Sequence, residues 1–204
     1  MIDQYHYHRE YMQQLVKQLE AQVIVELGTA MGRSTRLWAE ALEDTNGHLW
    51  TVDIIPPLND WYFTYELSHR ITFIQGDSLK VGWEHIQPID LLYIDDEHTY
   101  PHVLYELRRW GPWVRQGGRI LLDDCQAFDW TGMDHNVGWE ITRAIQEFCR
   151  EESLPWQTHP GSQGLAEITV RHPIKRLERV EHETVLPLDF ERMPWQSSSL
   201  PSST

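Results

Sequence analysis

Val23-Ile24-Val25-Glu26-Leu27-Gly28-Thr29-Ala30-Met31-Gly32-Arg33-Ser34-Thr35 is the stretch whose reading decides the fold. A short apolar, β-branched run ends in an acid and passes through two glycines into helix-compatible residues. The pattern predicts a strand, a ligand loop and a helix. A backbone that turns sharply off a buried strand, and is approached closely by a ligand, has no room for a side chain at Gly28 or Gly32. Ser34 or Thr35 is expected to cap the helix, which carries Leu37, Trp38, Ala41 and Leu42 on one face.

Two nucleotide-binding patterns fail here. A dinucleotide fingerprint needs glycine at three positions, and the spacing from Gly28 puts Ala30 and Arg33 at the other two. No Gly-Lys-Ser/Thr follows, so the loop is not a phosphate-cradling Walker motif.

The whole chain bounds the options further. Its 204 residues suit one domain with a substantial core. A formal net charge of −14 argues against nucleic-acid or anionic-membrane binding, which need a basic face. A cation or a neutral small molecule is the easier partner. Cys125 and Cys149 lack Cys-x-x-Cys spacing, so reduced thiols are expected rather than a zinc site. The first residues have no basic region followed by an apolar run, and no stretch reaches membrane-spanning length. The expected location is the cytoplasm.

Outward from the loop, strands and helices alternate. Met12, Leu15, Val16 and Leu19 predict an amphipathic helix over residues 3–20. His6 and His8 do not share a helix face, which argues against a metal pair. Asn46-Gly47 makes a turn before a second strand, Leu49–Asp53, whose terminal carboxylate can accept both hydroxyls of a ribose. After Pro56-Pro57, residues Leu58, Trp61, Tyr62, Tyr65 and Leu67 read as an aromatic helix. A third strand, Ile71–Ile74, leads to Asp77 and Ser78, suited either to an adenine edge or to capping a helix. The fourth, Ile89–Ile94, runs into Asp95-Asp96-Glu97-His98 and a helix with Pro101 in its first turn. That helix stops near Pro112 and Gly117-Gly118, and a fifth strand, Arg119–Leu122, ends in Asp123-Asp124-Cys125. Polar and aromatic residues 126–136 are placed to cover the site, a helix follows from Val137, and residues 156–170 read as a hairpin. Ser162 lacks nucleophile-elbow spacing, and no internal repeat is evident.

Such alternation predicts a parallel sheet with its ligand site beyond the carboxyl ends of the strands. If the fourth and fifth strands are neighbours, Asp95, Asp96, Asp123 and Asp124 converge there with no basic side chain among them. Such a cluster holds protons through raised pKa values or binds a cation, and Mg²⁺ prefers oxygen ligands of this kind.

The Glu26-x-Gly28-x-x-x-Gly32 loop resembles the first motif of class I S-adenosylmethionine (SAM)-dependent methyltransferases. Ile94-Asp95-Asp96-Glu97-His98-Thr99-Tyr100, the helix after it, Gly117-Gly118 and Leu121-Leu122-Asp123-Asp124 resemble the second half of metal-assisted small-molecule O-methyltransferases of the macrocin, cephalosporin-hydroxylase-like and catechol O-methyltransferase groups. The resemblance runs in order over residues 20–170. It implies a Rossmann-like, doubly wound α/β sheet of about seven strands, mostly parallel with a C-terminal antiparallel hairpin. The methyltransferase domain would occupy residues 1–172, with a Ser/Pro-rich flexible extension over 173–204.

The same resemblance implies SAM bound by Glu26, Gly28, Thr29, Gly32, Ser34, Asp53, Asp77, Ser78 and Asp95, and Mg²⁺ bound by Asp95, Asp123 and Asp124. His98 stands where the catechol enzymes carry their catalytic lysine. A histidine there can take a hydroxyl proton near neutral pH, with Asp95 beside it, or it can cap the helix or orient a carboxylate. Cys125 replaces the Asn of the catechol enzymes and is a poor Mg²⁺ ligand, which leaves the three aspartates or no metal. The expected activity is methyl transfer to an oxygen of a small molecule. The rivals are a catalytically silent domain that binds SAM or a protein partner and, against the glycine pattern, a nicotinamide-dependent oxidoreductase. The acceptor and any homo-oligomerisation stay open.

Overall fold

The computed structural model describes residues 5–57, 67–81, 86, 88–126, 137–161 and 163–175. In chain order its main elements are α1 (Tyr5–Leu19), β1 (Val23–Leu27), α2 (Arg33–Ala41), β2 (His48–Asp53), β3 (Ile71–Gln75), β4 (Ile89–Ile94), α3 (Tyr100–Trp110), β5 (Val114–Leu122), α4 (Val137–Glu152), β6 (Trp156–His159) and β7 (Leu165–Thr169). The strands form one sheet in the order β3-β2-β1-β4-β5-β7-β6. Its first five strands are parallel, and β7 and β6 close the edge antiparallel. The expected doubly wound sheet with a terminal hairpin is the one observed.

Side chains alternate across a strand, so each buried strand feeds two cores. Ile24, Leu49, Leu91, Tyr93 and Leu121 pack with Met12, Leu15 and Val16 of α1 and Leu37, Trp38 and Ala41 of α2. Val25, Leu27, Leu92, Ile94, Ile120 and Leu122 face α3 and α4, meeting Val103, Leu107, Trp110, Ile141, Ile145 and Phe148. The helical spacings legible in the sequence are thus the two inner faces of the sandwich.

Two local expectations are corrected. Gly117-Gly118 does not end the fourth helix connection, because β5 begins at Val114 and runs through both glycines. The ladder with β4 shifts register between Ile89 and Leu91. A Cβ on Gly118 would lie 2.8 Å from the Asp90 carbonyl oxygen, and Gly117 has φ 87, so the pair permits a bulge inside the strand. Neither Ser34 nor Thr35 caps α2: the N-cap is Gly32, with no side-chain cap, and Thr35 is drawn instead to Glu26. The expected aromatic helix over residues 58–65, the covering segment 127–136, Ser162 and nearly all of the extension after 172 lie outside the described residues. Ile174, inside the expected extension, is buried in the α3/α4 core.

On β7, opposite Leu121 of β5, Glu167 ties α1 to the hairpin. Its carboxylate accepts Tyr11 Oη at 2.5 Å, Arg119 Nε at 2.7 Å, His159 Nε2 at 2.8 Å and Gln157 Nε2 at 2.9 Å. Burial alone would raise its pKa, but these donors hold it below the ordinary value. A carboxylate held low in the fold contributes stability above its unfolded pKa and loses that contribution as pH falls through the folded one. Glu167→Ala is expected to cost about 2–4 kcal/mol at pH 7, because it leaves four donors without their acceptor. In urea unfolding from pH 7 to 3, the difference between wild type and variant should shrink toward the acid end.

Candidate active site

The loop after β1 is held by main-chain geometry. Gly28 has φ 94 and Gly32 φ 73, and Ala30 between them also has positive φ, at 43. The close approach at Gly28 comes from the chain itself. A Cβ there would stand 2.1 Å from the Asp95 carbonyl oxygen and 2.7 Å from its carbon. Asp95 N in turn donates to Leu27 O at 2.9 Å. The mouths of β1 and β4 are therefore locked together, and only glycine fits at the junction.

Glu26, fully buried, points toward α2. Its Oε2 accepts the Thr35 and Thr51 hydroxyls, each at 2.6 Å, and Thr51 Oγ1 lies 2.6 Å from Thr29 Oγ1. Burial pushes its pKa up to about 7, with the hydroxyls of Ser34, Thr35 and Thr51 offsetting part of the rise. Asp53, at the end of β2, is turned onto the loop: Oδ2 accepts Thr29 N at 3.0 Å and Ala30 N at 2.8 Å, and Oδ1 accepts Ile55 N at 2.9 Å. A carboxylate offers about four lone-pair directions. Three are used by backbone amides, which leaves one on Oδ1 for a ligand hydroxyl. Asp77 is similarly occupied, its Oδ1 accepting Leu79 N at 2.9 Å and its Oδ2 pairing with Lys80 at 2.6 Å. Burial would raise Asp77, yet these partners hold it low.

The acids at the ends of β4 and β5 divide into sets. Asp95, His98 and Asp124 bring ligand atoms within 4.8 Å of one another. His98 Nε2 is buried without a hydrogen-bond partner, 3.5 Å from Asp95 Oδ1. Burial disfavours its imidazolium, but Asp95, Asp124 and Asp96 outweigh that and raise its pKa. Asp124 is raised by burial and by Asp95, and its φ of 56 is a left-handed conformation that aspartate tolerates better than most residues. Asp123 follows the strand alternation toward α2, where its Oδ2 receives the Tyr93 hydroxyl at 3.0 Å. Burial and the charges of Asp95 and Asp124 raise its pKa too. Of the three expected metal ligands, two converge, and His98 rather than Asp123 completes the group. Burial, reinforced by the charges of Asp123 and Asp124, pushes the Cys125 thiol up to about 12, so it offers no thiolate.

A second set escaped the sequence reading. Asp96, His102 and Glu106 also place ligand atoms within 4.8 Å of one another. Ser78 belongs with them, its Oγ donating to Asp96 Oδ2 at 3.2 Å. The available signal was a histidine and a glutamate four apart on the buried side of α3, where apolar residues are the norm.

The donors present fit the groups that the sequence implies. Two carboxylates and an unpartnered imidazole nitrogen suit a divalent cation. A positive-φ loop flanked by carboxylates, with the Oδ1 of Asp53 open in one direction, suits a cationic nucleoside that lacks phosphate. The doubly wound sheet and the acids at its strand ends match the fold and site that the resemblance implies.

Comparison with known proteins agrees. Residues 25–125, just under half of the chain, match a family model described as a methyltransferase domain. It is 24% identical over 119 residues to the O-methyltransferase ankF of Aspergillus thermomutatus, a match covering 54% of this chain. The matched region spans about half (48%) of that relative's length. Among solved structures, the SAH-bound methyltransferase PaMTH1 of Podospora anserina aligns with a TM-score of 0.59 and 18% identity, over 81% of this chain and 78% of that one. The MycE methyltransferase of the mycinamycin biosynthetic pathway, in complex with Mg, SAH and mycinamycin VI, aligns with a TM-score of 0.57 and 19% identity, over 80% of this chain and 48% of that one.

Two substitutions probe the locked loop. Gly28→Ala forces its methyl group onto the Asp95 carbonyl in a left-handed backbone and should cost about 2 kcal/mol or more in thermal or urea unfolding. Glu26→Gln should flatten a pH dependence. A buried acid raised to about 7 contributes stability fully present below its unfolded pKa and lost as pH rises through the folded one. The wild type should therefore lose stability relative to the variant between about pH 4.5 and 7.

Proposed function

We propose that this protein is a SAM-dependent O-methyltransferase that acts on a hydroxyl of a small molecule with Mg²⁺ assistance. The observation that carries the reading is the Asp95–His98–Asp124 group, fixed beside the glycine loop by the contact of Gly28 with the Asp95 carbonyl. The sulfonium of SAM is already activated, so the protein's task is to align the acceptor with the methyl group and to manage one proton. The backbone of Gly28–Gly32 and the remaining lone pair of Asp53 Oδ1 would seat the nucleoside, and Glu26 holds the loop from beneath.

Asp95 and Asp124 would hold Mg²⁺, which prefers oxygen donors and completes its shell with waters and substrate oxygens. Bound there, the ion would supply Lewis acidity to the acceptor oxygen. That preference leaves the imidazole of His98 for the proton. The carboxylates around His98 raise its pKa, so it holds a proton firmly while they are fully charged. Neutralising them brings it toward the range of a general base at neutral pH. Asp123, engaged by Tyr93, would orient that hydroxyl rather than bind the ion.

Calorimetric titration of S-adenosylhomocysteine, in matched samples with Mg²⁺ and with chelator, tests the reading. One saturable site is expected, together with a heat of Mg²⁺ binding that Asp124→Asn removes while nucleoside binding persists. Absence of nucleoside binding under both conditions would leave the fold without the activity.

A further inference from the structure

Away from the Asp95 group, on the α3 side of the sheet, α3 turns a carboxylate inward. Glu106 lies among Val103, Leu104, Leu107 and Trp110, all buried, and its side chain is 0% exposed. Neither Glu106 oxygen accepts a hydrogen bond. A carboxylate so placed is costly to ionise unless a cation or proton compensates it. Its polar neighbours are Asp96 and His102, and Ser78 Oγ lies 3.4 Å from His102 Nε2. His102, one helical turn earlier, holds Nε2 3.4 Å from Glu106 Oε1 and 3.6 Å from Asp96 Oδ2. Two carboxylates thus face a single imidazole. Ser78 Oγ and Glu97 N each donate to Asp96 and fix its direction, as outer partners do for metal ligands.

We propose that Asp96, His102 and Glu106 form a binding site for a zinc-class divalent cation, separate from the Asp95–His98–Asp124 group. The donor set decides the class. His102 Nε2 lies within 3.6 Å of both carboxylates and so belongs to the donor set here, whereas the proposed role of His98 keeps that imidazole for the proton; an imidazole with two carboxylates suits Zn²⁺ better than Mg²⁺, which favours an all-oxygen shell. Three protein ligands with ligand atoms inside 4.8 Å match a tetrahedral site whose fourth position is water. The His102–Glu106 spacing supplies two ligands from one rigid helix face, and Asp96 supplies the third from the loop that also carries Asp95 and His98. A cation there clamps that loop to α3.

The test uses the full chain, stripped with chelator and titrated with Co²⁺ by visible absorption and with Zn²⁺ by calorimetry. Asp124→Asn disables the neighbouring group and isolates this one. The isolated site should bind one equivalent of Zn²⁺ with proton release, seen as heat that varies with the buffer, and Zn²⁺ should raise the unfolding temperature. Adding Glu106→Gln or His102→Gln should weaken binding by more than about 100-fold, beyond what loss of an outer partner costs. Glu106→Gln keeps the side-chain shape and removes a buried charge, so the fold should persist. If that variant fails to fold, His102→Gln gives the decision. The proposal is overturned if the Asp124→Asn protein binds no Zn²⁺, or if both further variants bind it unchanged. Either result would mean that the three groups share protons instead.

Discussion

The Asp95 carbonyl oxygen stands where a Cβ on residue 28 would be, 2.1 Å from it, and the rest of the site depends on that contact. Parallel pairing of Leu27 with Ile94 brings the ends of β1 and β4 level. The missing side chain then lets the backbone after β4 cross directly over the loop after β1. Asp95 and His98 inherit their positions from this crossing. The start of α3 is fixed by a neighbour as well: Tyr100 N donates to Glu140 Oε2 at 2.9 Å, and Arg143 stacks 3.9 Å above the Tyr100 ring. Glu140 from α4 thus serves the first turn of α3, whose N-cap residue, Thr99, makes no side-chain cap. The segment between these two constraints carries Asp95 and His98 of one candidate metal group and Asp96 of the other.

Strand alternation sorts the acids that the sequence places side by side. Tyr93 and Leu121 face α2, and the residues two positions on, Asp95 and Asp123, begin on that side. Asp96 falls on the other side, where Ser78, His102 and Glu106 receive it. Consecutive aspartates after β4 therefore serve different neighbourhoods. Asp124 departs from simple alternation through its positive φ and joins Asp95 rather than the α3 group. One phenolic proton on Tyr93 cannot serve Asp95 and Asp123 together, and the shorter contact, 3.0 Å against 3.3 Å, goes to Asp123.

The fold was legible because its signals are periodic and local. Apolar runs of strand length, each ending in an acid and followed by a helical pattern, leave little besides a parallel sheet. The locations of Glu26, Asp95 and Asp124 followed from the same pattern, since strand ends are where such folds gather chemistry. What stayed hidden depended on contacts between distant segments. Nothing near Gly28 announces that the group crowding it is Asp95, 67 positions later. Nothing beside Asp53 announces that backbone amides of Thr29, Ala30 and Ile55 take most of its lone pairs. The strand through Gly117-Gly118 was masked because two glycines read as a break until β4 lies alongside and a bulge needs them. His102 and Glu106 were overlooked because a polar pair on a helix is ordinarily solvated, and only the packed structure reveals Glu106 as buried.

Stability and chemistry fall to different carboxylates of the sheet. Glu167, on β7, gathers donors from α1, β5 and β6 and is held below the ordinary carboxylate pKa. Asp123, Asp124 and Glu26, at the carboxyl ends of the parallel strands, are all held above it, chiefly by burial. The first condition stabilises a fold near neutrality, and the second costs stability there. Asp77, after β3, is held low by Lys80 and the Leu79 amide, so the raised acids are those gathered about the ends of β1 and β5. The sulfonium donor and the divalent ion proposed for this site are both cations, so one field would serve both. His98 sits inside it, where Asp95, Asp124 and Asp96 outweigh burial and raise its pKa.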